Sequence, residues 1–124
     1  MKRDMDLVRS IMLKVAESDE PVSINELVDA EHDRQVVGYH ISIMRDAGLV
    51  KASIMSADDD PYYSCQVSSL TWEGNDFLDA VRNETVWGKT KSVITKAVGV
   101  TTFEMVKSVA VKIGEAMLMS QIGI

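Results

Sequence analysis

Asp33-Arg34-Gln35-Val36-Val37-Gly38-Tyr39-His40-Ile41-Ser42-Ile43-Met44-Arg45-Asp46-Ala47-Gly48-Leu49-Val50 is the stretch on which the fold turns. Its spacing predicts a helix from about Asp33 to Ala47, with Gly48 as the left-handed residue that ends it. With a step of about 100° per residue, Val36, Val37, His40, Ile41, Ile43, Met44 and Ala47 share one side. Arg34, Gln35, Gly38, Tyr39, Ser42, Arg45 and Asp46 share the other. The first side asks for a core. The second is polar and carries two arginines and one aromatic.

Upstream, Ser23-Ile24-Asn25-Glu26 has the form of a capping box: the serine oxygen accepts from a first-turn amide and the glutamate reaches back. It predicts a short helix to about Ala30, with Glu31-His32 in the turn that follows. Before it, Met5, Leu7, Val8, Ile11, Met12 and Val15 predict a helix from about Asp4 to Glu17, with acidic residues at its positive end. Ser18-Asp19-Glu20-Pro21 stops it.

Downstream, Leu49–Ile54 and Tyr63–Val67 read as two strands. Between them Met55 to Tyr62, with Asp58, Asp59, Asp60 and Pro61, reads as an exposed loop. Thr71 is placed to cap a helix over Trp72–Arg82. A further helix is expected over about Glu84 to Val98, with Trp87, Thr90, Ile94 and Ala97 on its stripe and Gly99 as its stop. Thr101 and Glu104 form a second capping-box pattern, and a last helix runs to about Met119.

Helix, helix, helix, hairpin, helix is the order of a winged helix-turn-helix domain. The expected architecture is therefore mainly α with a small β-hairpin wing: a winged-helix domain over residues 1–82 and a C-terminal helical extension over 83–124. Ala47-Gly48-Leu49-Val50 and Leu70-Thr71-Trp72-Glu73-Gly74-Asn75-Asp76-Phe77-Leu78 resemble passages of bacterial winged-helix regulators. With the opening Met1-Lys2-Arg3-Asp4-Met5-Asp6-Leu7-Val8-Arg9, the pair Tyr39-His40 and the stretch Thr85-Val86-Trp87-Gly88-Lys89-Thr90-Lys91, the chain resembles an uncharacterised family of short bacterial and prophage proteins. The resemblance spans nearly the whole chain and implies a winged-helix protein carried by phages and mobile elements. It brings no catalytic or ligand residues with it.

Composition narrows the function classes. Hydrophobic residues make up 46% of the 124 positions and charged residues 26%, which suits a folded domain. One cysteine, Cys65, forbids an internal disulfide, so a reduced, cytoplasmic protein is expected. The charged N-terminus lacks the apolar core of a signal peptide. Glu104, Lys107, Lys112 and Glu115 break up the apolar C-terminus before it reaches the roughly 18 uncharged residues of a membrane span.

The net charge of −6 opposes a phosphate-binding role. No segment is strongly basic, and the three hairpin aspartates would repel DNA. Arg34, Gln35, Tyr39, Ser42 and Arg45 nevertheless form a plausible reading face, since arginine and glutamine pair with base edges while tyrosine and serine hold phosphates. Two readings follow: a DNA-binding regulator of phage or prophage type with the third helix in the major groove of double-stranded DNA, or a protein-interaction module on a repurposed winged helix.

Cys65 and His40 read as packed residues. No metal-ligand spacing, phosphate loop or nucleophile–base pattern is present, so no enzyme, metal or cofactor is expected. Trp72, Phe77, Leu78 and Trp87 read as packing residues. In the last helix Phe103, Val106, Ala110, Ile113 and Met117 form a three-four stripe, the expected surface of a homodimer.

Overall fold

In the computed structural model, residues 2–96 and 102–123 are described. The elements are α1 (Met5–Glu17), β1 (Val22–Ser23), α2 (Ile24–Leu27), α3 (Arg34–Asp46), β2 (Val50–Ala57), β3 (Asp60–Leu70), α4 (Trp72–Val81), α5 (Glu84–Lys96) and α6 (Phe103–Gln121). The protein is mainly helical, with one small antiparallel sheet in the order β1-β3-β2. The expected continuation of α5 to Ala97 and Val98, its stop at Gly99 and the cap at Thr101 lie outside the described residues. The chain divides into two compact units, Met1–Asn75 and Asp76–Ile124, so the division falls within α4.

In the first unit, α1 packs on α3 and β3. Leu7, Val8, Ile11, Met12 and Val15 are its buried face. Asp4 caps it, its carboxylate accepting from the Leu7 amide at 3.1 Å. The Ser23 capping box forms in full, but α2 lasts only four residues and its chain is extended by Val28, short of the expected Ala30. A helix this short has almost no propagation gain after nucleation, so the cap and the burial of Ile24 and Leu27 must hold it. The two residues just before it form β1, which the sequence did not announce: Val22 pairs with Val67 and Ser23 with Gln66.

The α3 exit is a Schellman closure. The Leu49 amide donates to Met44 O and the Gly48 amide to Arg45 O, with Gly48 at φ 77°. Thr71 is then fastened to this exit. Its hydroxyl donates to Gly48 O and accepts from the Gly74 amide, while its own amide donates to Leu49 O. A Cβ on Gly74 would run into the Leu49 carbonyl. The Leu-Thr-Trp-Glu-Gly passage is thus a structural join: threonine bonds to Gly48, Leu49 and Gly74, and glycine permits the close approach.

Trp72 in the same passage is 80% exposed, against the expectation that it packs. It sits in the first turn of α4, while Phe77, Leu78 and Val81 take the buried positions.

The hairpin differs most from its expectation. β2 and β3 extend to Ala57 and Asp60, leaving a turn of only Asp58-Asp59. Pairing is irregular beside it. Met55 faces Ser64 and Ala57 faces Asp60, so Ser56 alone lies opposite Pro61, Tyr62 and Tyr63. Pro61 lies beyond the short span in which β3 has β1 as a second neighbour, so its missing N–H breaks no ladder on that side. Cys65 and Val67 are buried as the alternation requires, but Tyr63 is 68% exposed. It falls in the irregular segment, where strict alternation ends.

In the second unit, α5 and α6 pack together. Val86, Trp87 and Thr90 of α5 and Val106 and Ala110 of α6 are buried. Phe77 meets Phe103 edge-on at 5.8 Å between ring centres. Thr102 caps α6 by accepting from the Met105 amide at 3.0 Å. No helix among the described residues is long and apolar enough to cross a membrane.

Candidate nucleic-acid interface

The polar side of α3 is two rows, and the five residues expected to read DNA divide between them. Arg34 and Arg45 lie on the row Arg34–Gly38–Ile41–Arg45. Gln35, Tyr39 and Ser42 lie on the row Gln35–Tyr39–Ser42–Asp46, which has exposed residues at both ends.

The first row faces the hairpin. Gly38 is buried, not solvent-facing as the periodicity suggested, because the Tyr62 ring rests where its Cβ would be. Such a contact explains an internal helix glycine, which otherwise costs about 1 kcal/mol against alanine. Ala47, expected on the buried side, is exposed, since the chain turns at Gly48 before that position reaches the core.

Arg34 is bound within the chain. One guanidinium nitrogen donates to Asn25 Oδ1 at 2.6 Å, and another donates to the Tyr62 carbonyl and lies 3.5 Å from Asp60 Oδ2. Asp60 Oδ1 in turn accepts from the Tyr62 amide at 2.9 Å. One arginine therefore ties α2, α3 and the root of the turn together. Asn25, Asp60 and Tyr62 escaped the sequence reading. Gly38 was the available signal, because an internal helix glycine marks a place where something approaches closely.

The Arg45 side chain is exposed and, among the described residues, makes no hydrogen bond or ion pair. Burial pushes the Cys65 thiol up, although Arg34 and Arg45 favour its thiolate. Its protonated, covered state fits a packed thiol and not a nucleophile. Burial also raises the Tyr62 phenol, with Cys65 and Tyr39 adding to the effect.

The other charges facing solvent nearby are Asp33 and Asp46 at the ends of α3 and Asp58 and Asp59 at the hairpin turn, with Arg45 on α3 and Lys51 on β2 as the cations among them.

Both histidines converge on Asp4. His40 is buried, as expected. Its Nε2 accepts from the Asp4 amide at 2.8 Å and its Nδ1 donates to Val36 O at 2.8 Å, which fixes the neutral Nδ1–H tautomer. His32, expected as a plain turn residue, bridges two carboxylates: Nδ1 lies 3.0 Å from Asp29 and Nε2 lies 3.2 Å from Asp4. Burial opposes its charge, but the two carboxylates outweigh that and its pKa is raised. Asp4 and Asp29 are lowered, Asp4 against its own desolvation and Asp29 chiefly through the Glu31 amide. Among the described residues no group of three or more histidine, cysteine or acidic side chains is arranged to hold a metal ion.

The expected oligomerisation stripe also divides. Val106 and Ala110 are buried, while Phe103, Ile113 and Met117 are half-buried. The exposed apolar side chains of α6 are others: Met105, Val111, Leu118 and Met119.

Residues 2–101 match a protein family described as "Hypothetical protein (DUF2513)". An uncharacterized protein of Haemophilus influenzae (strain ATCC 51907 / DSM 11121 / KW20 / Rd) is 36% identical over 120 residues, covering 95% of this chain and 99% of that one. No solved structure matches.

Proposed function

The chain belongs to the family described as Hypothetical protein (DUF2513), and on that premise we propose that it is a protein-interaction module whose first unit is a winged helix turned away from DNA. The element order supports the winged helix: three helices, a hairpin, then a fourth helix. The observation that carries the functional reading is the bonding of Arg34. A base-reading arginine needs its fork of donors free for a guanine edge. Here both terminal nitrogens of the fork are already engaged, one by Asn25 and the other by the Tyr62 carbonyl and Asp60.

The hairpin turn then presents two aspartates where a phosphate contact needs lysine or arginine. Those aspartates, with the exposed Met55 and Tyr63 on the hairpin strands, fit a partner protein with a basic rim around an apolar patch. Self-association through the C-terminal unit is part of the same proposal.

A second reading, a DNA-binding regulator of phage or prophage type, is favoured by the exposed Arg45 and the open Gln35–Tyr39–Ser42 row. Fluorescence anisotropy of the full chain against mixed duplex DNA separates the two. The interaction reading expects no binding at about 50 mM salt, where phosphate contacts are strongest. Binding that weakens steeply with salt and is lost in Arg45→Ala would overturn it.

A further inference from the structure

α6 has a second row that its packing on α5 leaves open. Lys107, Val111, Glu115 and Met119 recur every four residues, so they form one ridge along the helix. Lys107 is half-buried; Val111, Glu115 and Met119 are exposed, Val111 at 38% and Met119 at 45%. Leu118, beside the ridge, is 56% exposed. Among the described residues neither Lys107 nor Glu115 forms an ion pair within the chain. The row thus combines uncovered apolar groups with charges that have no ion-pair partner among the described residues.

Its charge order identifies the occupant. Lys107 lies four residues before Val111 and Glu115 lies four residues after it. A second copy running parallel would set lysine on lysine and glutamate on glutamate. A second copy running antiparallel, related by a twofold axis at Val111, sets each lysine beside a glutamate. The same operation puts valine on valine and brings each Met119 towards the half-buried Phe103 of the other helix. Helices whose four-residue ridges lie alongside each other adopt the commonest crossing class, and an isologous twofold contact is the commonest way for identical chains to close.

We infer that α6 is the interface of an antiparallel homodimer centred on Val111, with Lys107 of each copy facing the partner's Glu115. This deepens the reading of the C-terminal unit as a self-association element and does not depend on what the hairpin contacts. It also replaces the Val106–Ala110 stripe as the dimer surface, since those two side chains are already covered.

The test is sedimentation equilibrium of the full chain, with circular dichroism as a check on folding. The wild type should dimerise. Lys107→Glu alone and Glu115→Lys alone should each weaken the dimer by about tenfold, the effect of turning two exposed attractive pairs into repulsive ones. The double variant Lys107→Glu/Glu115→Lys should recover wild-type affinity. Val111→Glu, which sets two carboxylates against each other on the axis, should give monomer at every concentration where the wild type dimerises. A monomeric wild type at about 100 µM would overturn the proposal. So would single charge reversals without effect, or a double variant no better than the singles. These results leave the DNA titration untouched, so the two readings fail separately.

Discussion

Arg34 on α3 and Lys107 on α6 are both cations on the polar side of an amphipathic helix, yet their surroundings differ. Arg34 has a carbonyl, an amide oxygen and a carboxylate from its own chain within reach. Lys107 has no such partner among the described residues and lies beside uncovered apolar groups. The difference teaches that sequence position alone does not make a charge available. A charged residue reads a ligand only if the fold leaves its hydrogen-bonding capacity open. By that standard α3 is closed at Arg34 and open at Arg45, and α6 is open at Lys107.

Glycine substitutions should separate the two helices most strongly. A Cβ at Gly74 meets the Leu49 carbonyl, and one at Gly38 meets the Tyr62 ring, while one at Gly114 of α6 meets nothing within 4 Å. Gly74→Ala should destabilise by about 3 kcal/mol and Gly38→Ala by roughly 1–3 kcal/mol in urea unfolding. Tyr62→Ala introduced with Gly38→Ala should relieve most of the clash. Gly114→Ala should instead stabilise by up to about 1 kcal/mol, because alanine is the better helix former and no neighbour objects. The same change with the same sign at Gly38 and Gly114 would erase the contrast between a covered and an open helix.

Smaller effects sharpen it. Ser23→Ala removes the oxygen that caps α2 and should cost about 1 kcal/mol, read as a shift of the urea midpoint. Leu118→Ala, on the open side of α6, should change monomer stability by no more than about 0.5 kcal/mol, measured below the dimerisation range.

The Asp4–His32–Asp29 bridge should give the first unit a pH dependence. His32 is raised above its ordinary 6.5, so its contribution is complete below that value and is lost as pH rises through the raised one. Asp4 and Asp29 are lowered from 3.8, so theirs is present above that value and is lost as pH falls through the lowered ones. The bridge is therefore strongest between about 4 and 6.5. Melting temperature should fall more between pH 6 and pH 8.5 in the wild type than in His32→Gln. Parallel pH profiles would mean that the bridge does not form in solution.

Much of the helical framework was legible in the sequence. Helical period placed α1, α3 and α6, and the Ser23 capping box and Gly48 fixed ends because they act over a few residues. What escaped depends on contacts distant in sequence. β1 exists because Val22 and Ser23 find Val67 and Gln66 across more than forty residues. The hairpin ran longer because side-chain alternation is lost where Ser56 faces three residues. On α3 the period separated apolar from polar correctly in outline, but it could not say that the polar side is divided by the hairpin. It read His32 as a turn residue because neither Asp4 nor Asp29 is visible to a local pattern. Three-four spacing marks Phe103, Val106, Ala110, Ile113 and Met117 as the dimer stripe, but spacing cannot say that Val106 and Ala110 are already covered.

The central claim is that Arg34 is committed to Asp60 and the hairpin, and a double-mutant cycle tests it most directly. Arg34→Gln, Asp60→Asn and the combined variant should be compared with the wild type by urea unfolding. Asp60→Asn keeps the oxygen that accepts from Tyr62 and removes only the charge. Because both side chains are partly exposed, a favourable coupling of roughly 0.5–1 kcal/mol is expected, shrinking at high salt. Strictly additive effects at low salt would contradict the pairing of Arg34 with Asp60 and leave Arg34 held by Asn25 and the Tyr62 carbonyl alone.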